Sequence, residues 1–283
     1  MPSLKDIRRR IRSVKSTQQI TRAMKMVAAA KLRKAQERLA ASGPYAKHLE
    51  DLMRRLAARI GPDAHPFFRK QEVERSLVLL VTGDRGLCGA YNANLFHAAE
   101  RMIRERGPEH LEFILAGKKG ADHFRKAGLD IRQSYPNLFQ KLDRLPFEAI
   151  AAEAREAFLA GRVQEVAVVS MRFRSLSSTA IETVPILPLE PPESAEPPGV
   201  EYLTEPPLDR ILDALIPRYL NASVLRALLE ANASEQAARM TAMELATRNA
   251  DDMIGSLTLF YNRARQAAIT KELIEIVSGA QSA

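Results

Sequence analysis

The chain has 283 residues, 46% of them apolar, which is enough for one large domain or two ordinary ones and excludes simple disorder. A lone cysteine, Cys88, excludes an intrachain disulfide and a multi-cysteine metal site. No apolar run exceeds five residues, against the roughly 20 that a membrane-spanning helix needs, so a soluble chain is expected. The net charge of +8 is uneven, because residues 1–59 hold 16 Lys and Arg against four acids and the remaining residues carry a net charge of −4. A basic arm on a near-neutral body suggests nucleic acid, an anionic membrane surface or an acidic protein partner.

Ser3 before Leu4, with Asp6 three residues on, reads as a helix N-cap. Apolar residues then recur at helical spacing: Leu4, Ile7, Ile11 and Val14, followed by Ile20, Met24 and Val27. After a skip, a seam stepping by three and four runs through Leu32, Ala35, Leu39, Ser42, Ala46, Leu49, Met53, Leu56 and Ile60, the pattern of a helix meeting a partner helix. Ser42-Gly43-Pro44 predicts a kink within it. Short apolar runs at Leu77 to Val81, Leu111 to Ala116, Val166 to Val169 and Ile181 to Leu187 predict strands. Helical stretches at Asn94 to Arg106, Gly120 to Ala127 and Phe147 to Leu159 alternate with them. That order predicts an α/β domain with a mainly parallel sheet. Pro188 to Pro207, with seven prolines, reads as a linker. A second long helical seam then runs through Met240, Met243, Thr247, Ala250, Ile254, Leu257, Tyr261, Ala264 and Ala268. The expected domains are a coiled-coil helix over 1–60, a Rossmann-like α/β domain over 74–190, a Pro-rich linker over 191–207 and a second coiled-coil helix over 208–283.

Two glycine turns stand where phosphate loops stand in α/β folds. In Gly83-Asp84-Arg85-Gly86-Leu87-Cys88-Gly89 the glycines fall at three-residue intervals, which matches neither G-x-G-x-x-G nor G-x-x-x-x-G-K-[ST], and a structural turn is the preferred reading. Gly117-Lys118-Lys119-Gly120 is an alternative anion site or a solvated turn. The five histidines show no zinc spacing. No catalytic residue, cofactor-binding residue or metal ligand is singled out. Alternative readings are a basic coiled-coil protein that binds nucleic acid and a dinucleotide enzyme using the Gly83 turn.

Both ends resemble one family. Ile7-Arg8-Arg9-Arg10-Ile11-Arg12-Ser13-Val14 and Thr17-Gln18-Gln19-Ile20-Thr21-Arg22-Ala23-Met24-Lys25-Met26-Val27 look like the first helix of the gamma subunits of F-type ATP synthases. Ile269, Thr270, Glu272, Glu275, Gly279 and Ala280 fit the C-terminal signature of that family. Asp84 to Gly89 and Ala233 to Met240 match as well. The resemblance implies an antiparallel coiled coil of the terminal helices with a Rossmann-like domain inserted between them. It implies a non-catalytic rotating central stalk, coupling proton flow through a membrane ring to ATP synthesis or hydrolysis in catalytic beta subunits. Implied partners are three alpha and three beta subunits, the epsilon subunit and the c-ring, without nucleic acid. No cofactor is implied for this chain, since nucleotides bind the alpha and beta subunits, and the place is the cytoplasmic face of a bacterial inner membrane. Carried over by motif, Met24, Lys25, Glu235, Arg239, Arg265 and Gln266 contact or support the beta contacts, Tyr202 and Glu205 meet the ring or epsilon, and the tip with Ile274, Ile276, Val277 and Ala280 turns in an apolar sleeve.

Overall fold

A computed structural model describes residues 3–57, 65–69, 71–125, 127–140, 142–175, 179–189, 205 and 207–281. The predicted linker and Tyr202 lie almost wholly outside these residues. In chain order the main elements are α1 (Leu4–Ala57), β1 (Ser76–Val81), α2 (Tyr91–Arg106), β2 (Leu111–Ala116), α3 (Lys118–Phe124), β3 (Asp130–Tyr135), α4 (Phe147–Leu159), β4 (Glu165–Phe173), β5 (Thr179–Leu187) and α5 (Leu208–Gln281). Both long helices run through an internal proline, Pro44 in α1 and Pro217 in α5. A proline lacks the N–H that the carbonyl four residues earlier would accept, yet neither helix restarts. The chain divides into two compact units, Met1–Ala29 with Arg239–Ala283, and Ala30–Ala238.

In the larger unit the five strands lie in the order β3-β2-β1-β4-β5, with β1 parallel to β2 and β4, β2 parallel to β3, and β5 antiparallel to β4. The central strands are buried on both faces, which is why they read as unbroken apolar runs rather than alternations. Leu77, Leu79, Val81, Val166 and Val168 face one layer, with Ile150 and Ala154 of α4, Met53 and Leu56 of α1, and Leu212, Ile216, Leu220 and Val224 of α5. Val78, Leu80, Phe113 and Leu115 face the other, with Leu95 and Ala99 of α2 and Phe124 of α3. Strand β3 was not expected from the sequence. It is an edge strand of mixed polarity, DIRQSY, and Asp130 pairs with Arg75 at 2.8 Å, the charged dressing an open sheet edge carries.

In the smaller unit the first stretch of α1 pairs with the last of α5. Ser3 caps α1 as expected: its Oγ accepts from the Asp6 N–H at 3.2 Å and donates to the Asp6 carboxylate at 2.8 Å. Partner numbers fall in one helix as they climb in the other, from Arg8 with Tyr261 through Gln18 with Asp251 and Thr21 with Thr247 to Lys25 with Glu244. This is antiparallel pairing in a single register.

Candidate functional site

The glycine turns resolve as structure. After β1, Thr82 Oγ1 donates to the Ala116 carbonyl and accepts from Gly120 N, and the Asp84 carboxylate accepts from Lys118 N and Phe139 N, both at 3.0 Å. Gly117 N and Lys119 N donate to the carbonyls of Tyr135 and Gly83. All four amides of the Gly117–Gly120 turn are therefore committed within the chain, and none is left to cradle an anion. Gly117 has φ of 102°, and a Cβ there would stand 2.1 Å from the Thr82 carbonyl oxygen, so only glycine fits.

The crevice between the C-terminal ends of β1 and β4, where doubly wound folds take nucleotides, is filled by α5. Tyr91 OH donates to the Ala231 carbonyl at 3.1 Å, and Ser234 Oγ donates to the Met171 carbonyl at 2.9 Å. Glu235 is only 3% exposed, and a Cβ on Gly83 would meet its Cδ at 3.0 Å. Asn92 Oδ1 accepts from Gly83 N at 2.9 Å and holds the turn against the start of α2. A dinucleotide at the Gly83 turn would have to displace these contacts.

Elsewhere in this unit, a cleft of about 310 Å³ lies among β4, β5, α1 and α5. Its cations are already paired, Arg172 with Glu182 at 3.0 Å and Arg226 with Glu230 at 2.9 Å. Among the described residues no group of three or more His, Cys, Asp or Glu side chains could hold a metal ion. Cys88 is buried, with its thiol facing the Arg85 carbonyl.

The helix pair carries the other sequence-derived residues. Met24 is half-buried. Lys25, also half-buried, bridges Glu244 at 3.3 Å, and hydrogen bonds from Lys25 and then Arg248 hold the Glu244 carboxyl below its ordinary value. Arg239 is half-buried, while Arg265, Gln266, Ile269, Thr270 and Glu272 are exposed, with Thr270 Oγ1 donating to the Gln266 carbonyl. Glu205 is exposed, and the side chains of Glu275, Val277, Gly279 and Ala280 fall outside the described residues.

Ile20 and Val27, expected on the seam, are instead 57% and 55% exposed. The seam passes instead through Gln18, Thr21, Lys25 and Ala28, so the three-and-four stepping never skips. Polar residues hold the phase that apolar pattern reading lost. Each threonine hydroxyl has one proton. Those two protons are shared among three contacts: the 2.8 Å bond between Thr21 Oγ1 and Thr247 Oγ1 across the pair, the Gln18 carbonyl 3.0 Å from Thr21 Oγ1 and the Met243 carbonyl 2.7 Å from Thr247 Oγ1. Arg8 stacks over the Tyr261 ring at 5.5 Å and donates to its hydroxyl at 2.6 Å. The register runs out near residue 265, where α1 begins. The helix continues to Gln281, about 24 Å at 1.5 Å per residue, with Ile269, Leu273, Ile274 and Ile276 exposed.

The sequence model of the ATP synthase family matches residues 3–283. The chain is 47% identical over 289 residues to the ATP synthase gamma chain of Chlorobaculum parvum, covering 100% of this chain and 99% of that one. It is 45% identical over 288 residues to the gamma chain of Chlorobium phaeobacteroides, with the same coverage. Among solved structures it is similar to a chain of the Euglena gracilis mitochondrial ATP synthase (OSCP/F1/c-ring, rotational state 3), with TM-score 0.68, 22% identity and coverage of 99% and 94%. A chain of the Tetrahymena thermophila mitochondrial ATP synthase central stalk and c-ring gives TM-score 0.60 and 24% identity, covering 80% of this chain and 99% of that one. At those identities the two structures speak for the fold.

Proposed function

The chain belongs to the ATP synthase gamma-chain family, and from that membership we propose that it is the non-catalytic central shaft through which ion flow drives, or is driven by, nucleotide chemistry in partner subunits. The observation that carries this reading is the antiparallel helix pair, a single-register rod with an uneven surface: Arg9, Arg10 and Arg12 are exposed near the start of α1, and the C-terminal overhang exposes Ile269, Leu273, Ile274 and Ile276. An asymmetric rod facing three identical beta subunits meets each with a different side. It biases their conformations only through contacts that differ between those states. Met24, Lys25, Arg239, Arg265 and Gln266 of the paired helices are assigned by motif to contact with beta, and Glu235, which is 3% exposed, to support of that contact from within the chain. Tyr202 and Glu205 belong to the face toward the ring or epsilon.

The partners are the alpha and beta head, taken as three of each, epsilon and the c-ring. The place is the cytoplasmic face of a bacterial inner membrane. Among the described residues no helix is long and apolar enough to cross a membrane. Nucleotides bind the alpha and beta subunits, and the filled crevice supports a chain without a nucleotide of its own. The nucleic-acid reading draws no support from the full-length relatives. Reconstitution decides the matter: alpha and beta should hydrolyse ATP in sustained turnover only with this chain added, and the chain alone should hydrolyse none. Hydrolysis by the isolated chain, or a head indifferent to it, would refute the shaft reading.

A further inference from the structure

We propose that the nucleotide crevice of this α/β domain has become a socket for the domain's own helix, and that Glu235, Ser234 and Tyr91 are positioning residues that stop α5 from turning against the sheet. The three contacts stand around one stretch of helix. Ser234 Oγ holds the Met171 carbonyl of β4, Tyr91 OH from the first turn of α2 holds the Ala231 carbonyl, and Glu235 is packed against Gly83 after β1. Successive helix positions point about 100° apart, so Ser234 and Glu235 leave α5 in different directions toward β4 and β1, while Tyr91 grips its backbone. A helix held from several azimuths cannot rotate about its axis without breaking at least one contact, whereas apolar packing alone allows slippage between similar rotational states. Ala238 adds contact with the buried layer of α2 and α3.

The fit at Gly83 explains its glycine. An added Cβ would lie 3.0 Å from Glu235 Cδ, 3.1 Å from Glu235 Oε1 and 3.2 Å from Asn92 Oδ1. Glu235 is buried to the same degree as the apolar residues around it, although glutamate is seldom buried without a specific role. In a rotor, such a socket would carry torque between the α/β domain and α5. This inference rests on the shaft reading.

The test uses the complete complex in proteoliposomes and reads protons pumped per ATP hydrolysed, together with amide exchange of residues 231–238. The variants are E235Q, S234A, Y91F and G83A. Wild-type pumping establishes the shaft reading independently of the variants. The Tyr91 and Ser234 hydroxyls that Y91F and S234A remove each donate to a carbonyl of the chain itself in a buried place. If the socket carries torque, each should lower the pumping ratio about two-fold or more and speed exchange across 231–238 about ten-fold. G83A should act in the same direction, and G83A with E235Q should be less than additive. Should E235Q or G83A fail to assemble, Y91F and S234A decide the matter alone. An unchanged ratio in both, with the complex assembled, would overturn the proposal, as would a defect confined to E235Q, which would place Glu235 against beta instead.

Discussion

Glu165, at the start of β4, shows how opposing effects on one carboxyl are decided by its neighbours. Burial works to raise it, but hydrogen bonds from the Arg106 guanidinium and the Ser76 hydroxyl, with the Arg106 charge behind them, hold it below the ordinary glutamate value. A carboxyl lowered in the fold stabilises above its unfolded value, and that contribution disappears as pH falls through the folded one. Because Arg106 is partly exposed, the pair contributes roughly 1 kcal/mol after screening. E165Q should therefore be less stable than the parent by about that much at pH 7, and urea unfolding at a series of pH values should show the gap closing in the acid range. A gap that stayed constant with pH would mean that shape, not charge, holds the cluster. Residues of this kind differ in how far a sequence reveals them. Ser3 and Asp6 are three positions apart and announce a cap. The burial of Glu235 depends on Gly83, about 150 positions away, and nothing in the local sequence marks it.

At the scale of elements, what was legible was whatever depends on local period. Helix α4 has the predicted bounds, and the seam of α5 from Met240 to Ala268 is half-buried or buried at every predicted position. The failures share a cause. Strand β3 has an open edge and needs few apolar residues. In α1 the polar rung Gln18, Thr21 and Lys25 keeps the helical phase while breaking the apolar pattern, so the reading jumped to Ile20 and Val27. The corrected phase makes a direct prediction. Ile7 is 2% exposed, and I7A removes buried methyl groups at a cost of about 2–4 kcal/mol. I20A, on the solvent side, should change stability by no more than about 0.5 kcal/mol. Amide exchange of residues 4–28 should accelerate strongly in the first variant and hardly in the second. Equal effects would restore Ile20 to the seam.

At the scale of the whole molecule, exposed apolar side chains of the described residues gather where the helix register ends. Ile269, Leu273, Ile274 and Ile276 follow one another along the overhang of α5, and no described residue of α1 lies opposite them. A solvated helix face gains nothing from isoleucine, and contiguous exposed apolar side chains mark a surface that another molecule covers. The composition of this tip was visible in the sequence, but its exposure was not, because exposure depends on the antiparallel register set by distant pairs such as Arg8 with Tyr261. The double variant I274S/I276S separates folding from assembly. If the two side chains serve only an external sleeve, the isolated chain should keep its thermal midpoint within about 2 °C, since surface changes rarely exceed 0.5 kcal/mol. Titrating the chain into alpha and beta while following ATPase activation should then require at least ten-fold more of the variant, because each isoleucine buried in the sleeve contributes about 1.5–3 kcal/mol. A lowered midpoint would show that the tip folds back on its own chain, and an unshifted titration would show that the sleeve grips elsewhere.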